Sequence, residues 1–243
     1  MTGIEENWKH HQEATGAPRA WSATGTEITV GFGKLEQASN HIMRITVEFL
    51  PTLVFGIVML CWVAFAGIFL WRKKPPSPPD QKRDRSSIAG LALQGLSFGL
   101  IWGMRRVPFT PIIAGSETRD LVAIAASVLA IVAAIGSVWL ITNAVKTLGK
   151  EWSLTARLVE GHKLATTGPY AYVRHPIYTG MLGMLVATGL AISHWMPLIV
   201  ALLIFFIGTM IRVHSEEKLL RGAFGEQFEN YAQRVPAIVP GLY

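Results

Sequence analysis

Several ordinary features are scarce in this chain of 243 residues, and each scarcity excludes something. Cysteine occurs once, as Cys61 within an apolar run, so an intrachain disulfide is impossible and the thiol reads as packing rather than chemistry. Charged residues make up only 16% against 51% hydrophobic, with a mean hydropathy of +0.36, which is too apolar for an ordinary soluble domain. A Gly-x-Gly-x-x-Gly fingerprint is missing, since Gly31-Phe32-Gly33 lacks both the third glycine and a strand-to-helix setting. The early residues are polar, with Glu5, Glu6, Lys9 and Glu13, and apolar sequence begins only near Ile45, so no cleavable signal peptide is expected. No internal repeat of fixed period and no metal-ligand set is evident.

What is present is hydrocarbon in long runs. A membrane-spanning helix needs about 20 apolar residues, fewer where the flanks can snorkel. Five segments approach or meet that test: 49–71, 88–104, 121–142, 179–193 and 195–213. The expected fold is therefore an all-α integral membrane protein with about five transmembrane helices. The second and fourth segments are short and call for tilt or local thinning. Ser193-His194-Trp195 leaves so little between the last two that they must form an antiparallel hairpin, with His194 as a polar residue at its tip.

Charge orients the expected helices. If the first span runs outside to inside, most of the 22 basic residues fall on inner segments, among them Arg72, Lys73, Lys74, Lys82, Arg83, Arg85, Lys146 and Lys150. Arg105, Arg106 and Arg119 stay outside, and the positive-inside rule then puts the C-terminus in the cytoplasm. The net charge of +6 reads as topology and attraction to anionic membrane lipids, not as nucleic-acid binding. The oligomeric state is not readable.

Three regions follow: a polar leader at 1–43 with a candidate interfacial helix at 35–48, three spans at 44–142, and a polar-rich region with two spans at 143–243. Within the second, Pro75-Pro76-Ser77-Pro78-Pro79 and the basic residues after it form a semi-rigid linker or a docking segment.

The chemistry-bearing residues concentrate in the last region. Tyr172-Val173-Arg174-His175-Pro176-Ile177-Tyr178 sets an arginine, an imidazole and two phenols against the start of an apolar run, where polar groups are expensive unless they anchor or line a site. Pro176 suits the first turn of a helix, leaving Arg174 and His175 at its mouth facing the cytoplasm. After the fifth span, Arg212 and Glu216 are four apart and share a helix face. Leu220, Phe224, Phe228 and Tyr231 repeat at spacings of four, four and three, the stripe of an amphipathic helix along the membrane face. Arg174 can equally be a snorkelling anchor, and Arg212 with Glu216 an ordinary helical ion pair.

Leu164-Ala165-Thr166-Thr167-Gly168-Pro169-Tyr170, then Val173-Arg174-His175-Pro176-Ile177-Tyr178-Thr179-Gly180, then Arg212, Glu216-Glu217, Phe224-Gly225, Tyr231 and Arg234-Val235-Pro236 resemble the isoprenylcysteine carboxyl methyltransferase family and its phospholipid N-methyltransferase relatives. The resemblance covers roughly 145–240. It implies S-adenosylmethionine as methyl donor, with cofactor contacts at His162, Lys163, Leu164, Ala165, Tyr170, His175, Pro176, Ile177, Tyr178 and Glu216. It also implies catalytic or substrate-side roles for Arg212 and Arg174. A glutamine that some members carry before the His162 segment stands as Thr155 here.

The acceptor implied is a hydrophobic or lipidated molecule, first the carboxylate of a prenylated cysteine, which is already ionised at neutral pH and needs no general base. A phospholipid amine or a small thiol needs one, and His214 and Glu217 are the residues in reach by sequence. The chain ends Pro240-Gly241-Leu242-Tyr243 without a prenylation cysteine, so its substrate is expected to be another molecule. Two other classes stay open: a membrane sterol-type reductase using NADPH, with Lys163, Arg174 and Arg221 toward a 2'-phosphate, and a helical scaffold without catalysis.

Overall fold

The computed structural model describes residues 49–68, 70, 80–83, 86–106, 117–149, 157–159 and 163–239. The leader, the 35–48 helix, the proline-rich run, His162 and Thr155 lie outside the described residues. Six helices are present among them. They are α1 Phe49–Ile68, α2 Ser86–Gly103, α3 Glu117–Leu148, α4 Pro176–Ile192, α5 Trp195–Phe224 and α6 Glu226–Ala232. Four of these, α1, α2, α5 and the Leu121–Leu148 stretch of α3, are long and apolar enough to cross a membrane, and α4 is a shorter apolar helix. The chain is thus a multi-pass membrane protein, and the five expected segments all fall on helices.

Two features depart from expectation. A short antiparallel ribbon, β1 Asp80–Arg83 with β2 Arg157–Val159, adds strand to a fold read as wholly helical. It joins the segment after α1 to the segment after α3, so both connections leave the same end of the helices. The amphipathic stripe, moreover, is not one helix. Residues 212–224 continue α5 beyond the span, and the chain breaks at Gly225, whose φ of +49° lies in the left-handed region that a side chain disfavours. Only Glu226–Ala232 forms the separate α6, burying Phe228 and Tyr231.

Packing explains why the helices tolerate so many small residues. α4 lies mainly on α3 and α5 mainly on α2, and the crossings are too close for side chains. A Cβ on Gly180 would come within 2.4 Å of Ile141 Cγ1, and one on Gly183 within 2.2 Å of Ser137 Oγ, both on α3. Small residues at such crossings let backbones approach where lipid offers no hydrophobic drive to associate. The apolar core runs from Val54 and Val58 of α1 through Ile101, Met184 and Leu185 to Phe205. Trp62 of α1 stitches into it by donating Nε1–H to Thr188 Oγ1 at 3.0 Å.

The hairpin tip is built as the spacing predicts: Ser193 closes α4, exposed His194 stands at the N-cap of α5, and nothing else separates them. Arg106, just past α2, is buried there. Its guanidinium donates to the carbonyls of Leu190 (2.8 Å), Ala191 (3.0 Å) and Ser193, satisfying acceptors that a helix C-terminus leaves open. With the tip fixed, register follows from length. α4 has 17 residues and α5 has 30, about 26 and 45 Å, so the start of α4 meets α5 near Arg212 and the remaining turns of α5 project beyond it.

Candidate functional site at the mouth of the hairpin

That register brings the two polar segments of the sequence into one cluster. Tyr178 sits one turn inside α4, and Arg212 Nε donates to its hydroxyl at 2.8 Å. The same hydroxyl donates to Glu216 Oε1, which lies 3.7 Å from Arg212 Nη2. The Arg212 guanidinium stands 5.0 Å from the centre of the Tyr178 ring, and the His175 ring stacks on that same ring at 5.6 Å and 17°. Tyr178, His175 and Arg212 are buried, while the Glu216 side chain keeps 26% of its surface exposed.

His175 occupies the N-cap of α4 and faces a carboxylate with each ring nitrogen: Nε2 is 3.2 Å from Glu217 Oε1 and Nδ1 3.4 Å from Glu216 Oε2. A neutral imidazole has one donor, so only the imidazolium serves both contacts. Burial alone pushes its pKa down. The hydrogen bonds and charges of Glu216 and Glu217 outweigh that, and the net direction is up.

Beside this cluster lies a second set of pairs centred on Glu217. Arg174 Nε donates to Glu217 Oε1 at 2.9 Å, and its Nη1 donates to the carbonyls of Ala232 (2.7 Å) and Val235. Arg221 Nη2 donates to Glu217 Oε2 at 3.1 Å and its Nε to Glu229 at 2.9 Å, with the guanidinium 5.3 Å from the Phe228 ring. The segment after α6 then straps the mouth: the backbone amides of Arg174 and His175 donate to Pro236 and Ala237, each at 2.9 Å, and Thr179 Oγ1 donates to Ile238. Tyr231 donates to the Tyr170 carbonyl at 2.6 Å, drawing the 3-10 turn Gly168–Ala171 under α6. Burial, then the charge of Glu216, raises the Tyr170 pKa, and burial pushes Tyr231 up to about 12.

Of the residues expected from sequence, His175, Tyr178, Arg212 and Glu216 meet directly, and Arg174 joins them through Glu217. Tyr170 is buried next to them, and Pro176 takes the first position of α4 as expected. Ile177, Leu164 and Ala165 are half-buried, while Lys163 is exposed in the loop before the 3-10 turn. Leu164 and Ala165 are not hydrogen-bonded members of the cluster among the described residues. Arg174 and His175 sit at the mouth but are covered rather than open, with Arg174 11% and His175 6% exposed. Glu217 was legible only as a candidate base. Its centrality had one sequence signal, the Glu217–Arg221 spacing of four with the acid first, the more favourable order on a helix.

Apolar helices carrying a buried ionic cluster at one end, with the Glu216 carboxylate left partly open, define a multi-pass membrane protein with a polar site at the mouth of its helices. Residues 125–227 match the phospholipid methyltransferase family. The chain is similar to protein-S-isoprenylcysteine O-methyltransferase B of Arabidopsis thaliana, 35% identical over 100 residues, covering 40% of this chain and 51% of the relative. It is also similar to a nickel-cobalt-cadmium resistance protein of Alcaligenes xylosoxydans xylosoxydans, 34% identical over 114 residues and covering 45% and 52%. A third relative is methanethiol S-methyltransferase of Crocosphaera subtropica, 36% identical over 84 residues and covering 32% and 29%. The chain spans about half the length of the isoprenylcysteine methyltransferases it matches.

Proposed function

We propose that this protein is an integral membrane methyltransferase that uses S-adenosylmethionine and acts on a hydrophobic or lipidated acceptor, first the carboxylate of a prenylated cysteine. The observation that carries the reading is Glu216: a carboxylate left 26% exposed at the end of an apolar hairpin while the cations and aromatic rings around it are buried. A donor bearing an ammonium, a carboxylate and a sulfonium needs an anion, a cation and an aromatic wall, and Glu216, His175 and Tyr178 supply these within a few ångströms of each other. The family match supports a methyl donor over a nicotinamide cofactor.

When bound, S-adenosylmethionine supplies an electrophilic methyl group on sulfur. Glu216 holds the ammonium on its open side, and the Tyr178 ring, with His175 stacked behind it, walls the cationic sulfonium, so both are met by groups already fixed by neighbours. Arg212, at the level where α5 enters the span, holds the acceptor carboxylate and keeps its oxygen aligned. Apolar α4 and α5 exclude water on the tail side, which strips the acceptor of solvation without a base. Residues 143–243 form the catalytic region, with the mouth toward the cytoplasm. The β1–β2 ribbon supports that orientation by pairing Asp80–Arg83, which includes two basic residues, with Arg157–Val159 in the segment that leads to the site.

Similarity to a methanethiol S-methyltransferase favours a second acceptor, a small thiol. A thiol must lose its proton, and His214 is exposed whereas Glu217 is engaged by Arg174, His175 and Arg221, which favours the carboxylate. The test is binding of S-adenosylmethionine and of NADPH to the protein in nanodiscs, with transfer to farnesylated cysteine, phosphatidylethanolamine and an alkyl thiol. Glu216→Gln should weaken donor binding at least tenfold with little change in thermal stability. Unchanged binding in that variant, or binding of NADPH alone, overturns the reading.

A further inference from the structure

His175 touches both glutamates at the mouth, and it does so with different atoms: Nε2 lies 3.2 Å from Glu217 Oε1 and Nδ1 lies 3.4 Å from Glu216 Oε2. The rest of the residue is fixed. Its backbone N–H donates to the Ala237 carbonyl at 2.9 Å, its carbonyl accepts from the amides of Tyr178 (3.0 Å) and Thr179 (3.2 Å), and its ring lies on the Tyr178 ring. The Nε2 contact then sets how the imidazole is turned, because Glu217 is itself held by Arg174 at 2.9 Å and by Arg221 at 3.1 Å. With both nitrogens engaged and 6% of the side chain exposed, the ring has no free nitrogen to offer a ligand.

Glu216 has the opposite problem, since it has open surface but needs to be held still. A carboxylate turns easily about its last bond, where the torsional minima are broad. The Tyr178 hydroxyl donates to Oε1 alone, which leaves that rotation open. Arg212 Nη2, at 3.7 Å, stands on the Oε1 side as well. Only a group on Oε2 fixes the plane, and His175 Nδ1 is that group among the described residues. Tyr178 and His175 together take two of roughly four acceptor positions, and the others are left for a cation on the open side.

We infer that His175 is a positioning residue for the methyl donor: its Nδ1–H fixes the plane of the Glu216 carboxylate that receives the ammonium, while its Nε2–H serves the C-terminal strap through Glu217. The strap is reached because Arg174, on the same Glu217 oxygen, also holds the carbonyls of Ala232 and Val235. The inference rests on the methyl-transfer reading above. It changes one expectation from the sequence, for His175 acts on the donor through Glu216 instead of touching it.

Two amides separate the two nitrogens. The side-chain nitrogen of asparagine stands where Nδ1 does and that of glutamine where Nε2 does, and both replacements remove the same positive charge, so its effect on the ammonium cancels between them. Binding of S-adenosylmethionine to the full chain in nanodiscs, with thermal unfolding of the same samples, compares His175→Asn with His175→Gln. His175→Asn should bind the donor about fivefold more tightly than His175→Gln, the worth of one hydrogen bond, while His175→Gln unfolds at the higher temperature. A structural role alone cannot give opposite orders in the two measurements. Equal donor affinities, the reverse order, or one variant ahead in both overturns the inference and leaves the methyl-transfer reading standing. If either variant fails to fold, ring nitrogen-15 spectra of the wild type decide: in the histidine whose ring N–H protons resist exchange, donor binding should shift Nδ1 more than Nε2. A shift at neither nitrogen, or chiefly at Nε2, overturns the inference. A wild type that binds no S-adenosylmethionine removes it together with the reading beneath it.

Discussion

Glu216 and Glu217 are neighbours in sequence, yet α5 turns them toward regions with opposite characters. Glu217 faces α6, and its two oxygens are divided among Arg174, His175 and Arg221, with 7% of the side chain exposed. Glu216 faces Tyr178 and Arg212 and stays 26% exposed. One carboxylate is spent on holding the C-terminal strap to the hairpin. The other is held in place but left with surface to offer. On the reading proposed above, the more tightly paired glutamate is the structural one, and crowded charges do not by themselves mark a binding site.

The largest expected effect breaks that contrast most directly. Glu217→Ala leaves Arg174 and His175 charged and buried without their shared anion, and losing one member of such a buried set costs about 3 to 5 kcal/mol. Glu216→Gln keeps the hydrogen bond from Tyr178 and should cost about 1 kcal/mol. Thermal unfolding in one detergent, followed by intrinsic fluorescence, compares them. Equal losses would mean the two faces of α5 do the same job.

Next in size is Gly90→Ala, which tests whether the α2 seam positions Arg212. The new methyl would overlap both the arginine stem and the Gly208 carbonyl, and only the stem can move. Overpacking of this kind costs about 1 to 3 kcal/mol. Donor binding should survive, because Glu216 and His175 are on the other side of the arginine, while transfer to a carboxylate acceptor should fall at least tenfold. Transfer that is unaffected would separate Arg212 from the acceptor.

The helices and the hairpin were legible in the sequence because hydrocarbon length and the two-residue tip Ser193-His194 leave few alternatives. Even the pairing of Tyr178 with Arg212 follows from counting back from His194. The ribbon was not legible, since Asp80–Arg83 and Arg157–Val159 are short, polar and far apart in the chain. The stripe of Leu220, Phe224, Phe228 and Tyr231 was read as one helix because its period passes through Gly225 unbroken. The positive φ there bends the chain and sends the last two residues into a different helix. The role of Glu217 was hidden for a related reason: its partners Arg174 and His175 come from another segment, and only Arg221 is close in sequence.

A pH dependence sharpens the contrast further, since His175 touches both glutamates. Its pKa is raised on folding, so its contribution to stability is complete below the unfolded value of about 6.5 and is lost as pH rises through the folded value. Thermal stability should therefore decline from neutral into alkaline pH, and the decline should shrink in His175→Gln. Stability that rises over that range would show that the ring is neutral in the folded protein.

The smallest effect belongs to Arg221, and its smallness is the point. The side chain is 43% exposed, and its pairs with Glu217 and Glu229 lie where water and salt screen them. Arg221→Ala should cost about 0.2 to 1 kcal/mol, less at high ionic strength, although it removes two of the ion pairs on that face of α5. Arg174, only 11% exposed, reaches the same carboxylate and also holds the carbonyls of Ala232 and Val235, so its loss should approach that of Glu217→Ala. If Arg221→Ala unfolded the strap as readily as Arg174→Ala, the count of ion pairs rather than their burial would be what holds the C-terminal segment, and the distinction between the two faces of α5 would have to be redrawn around Glu229.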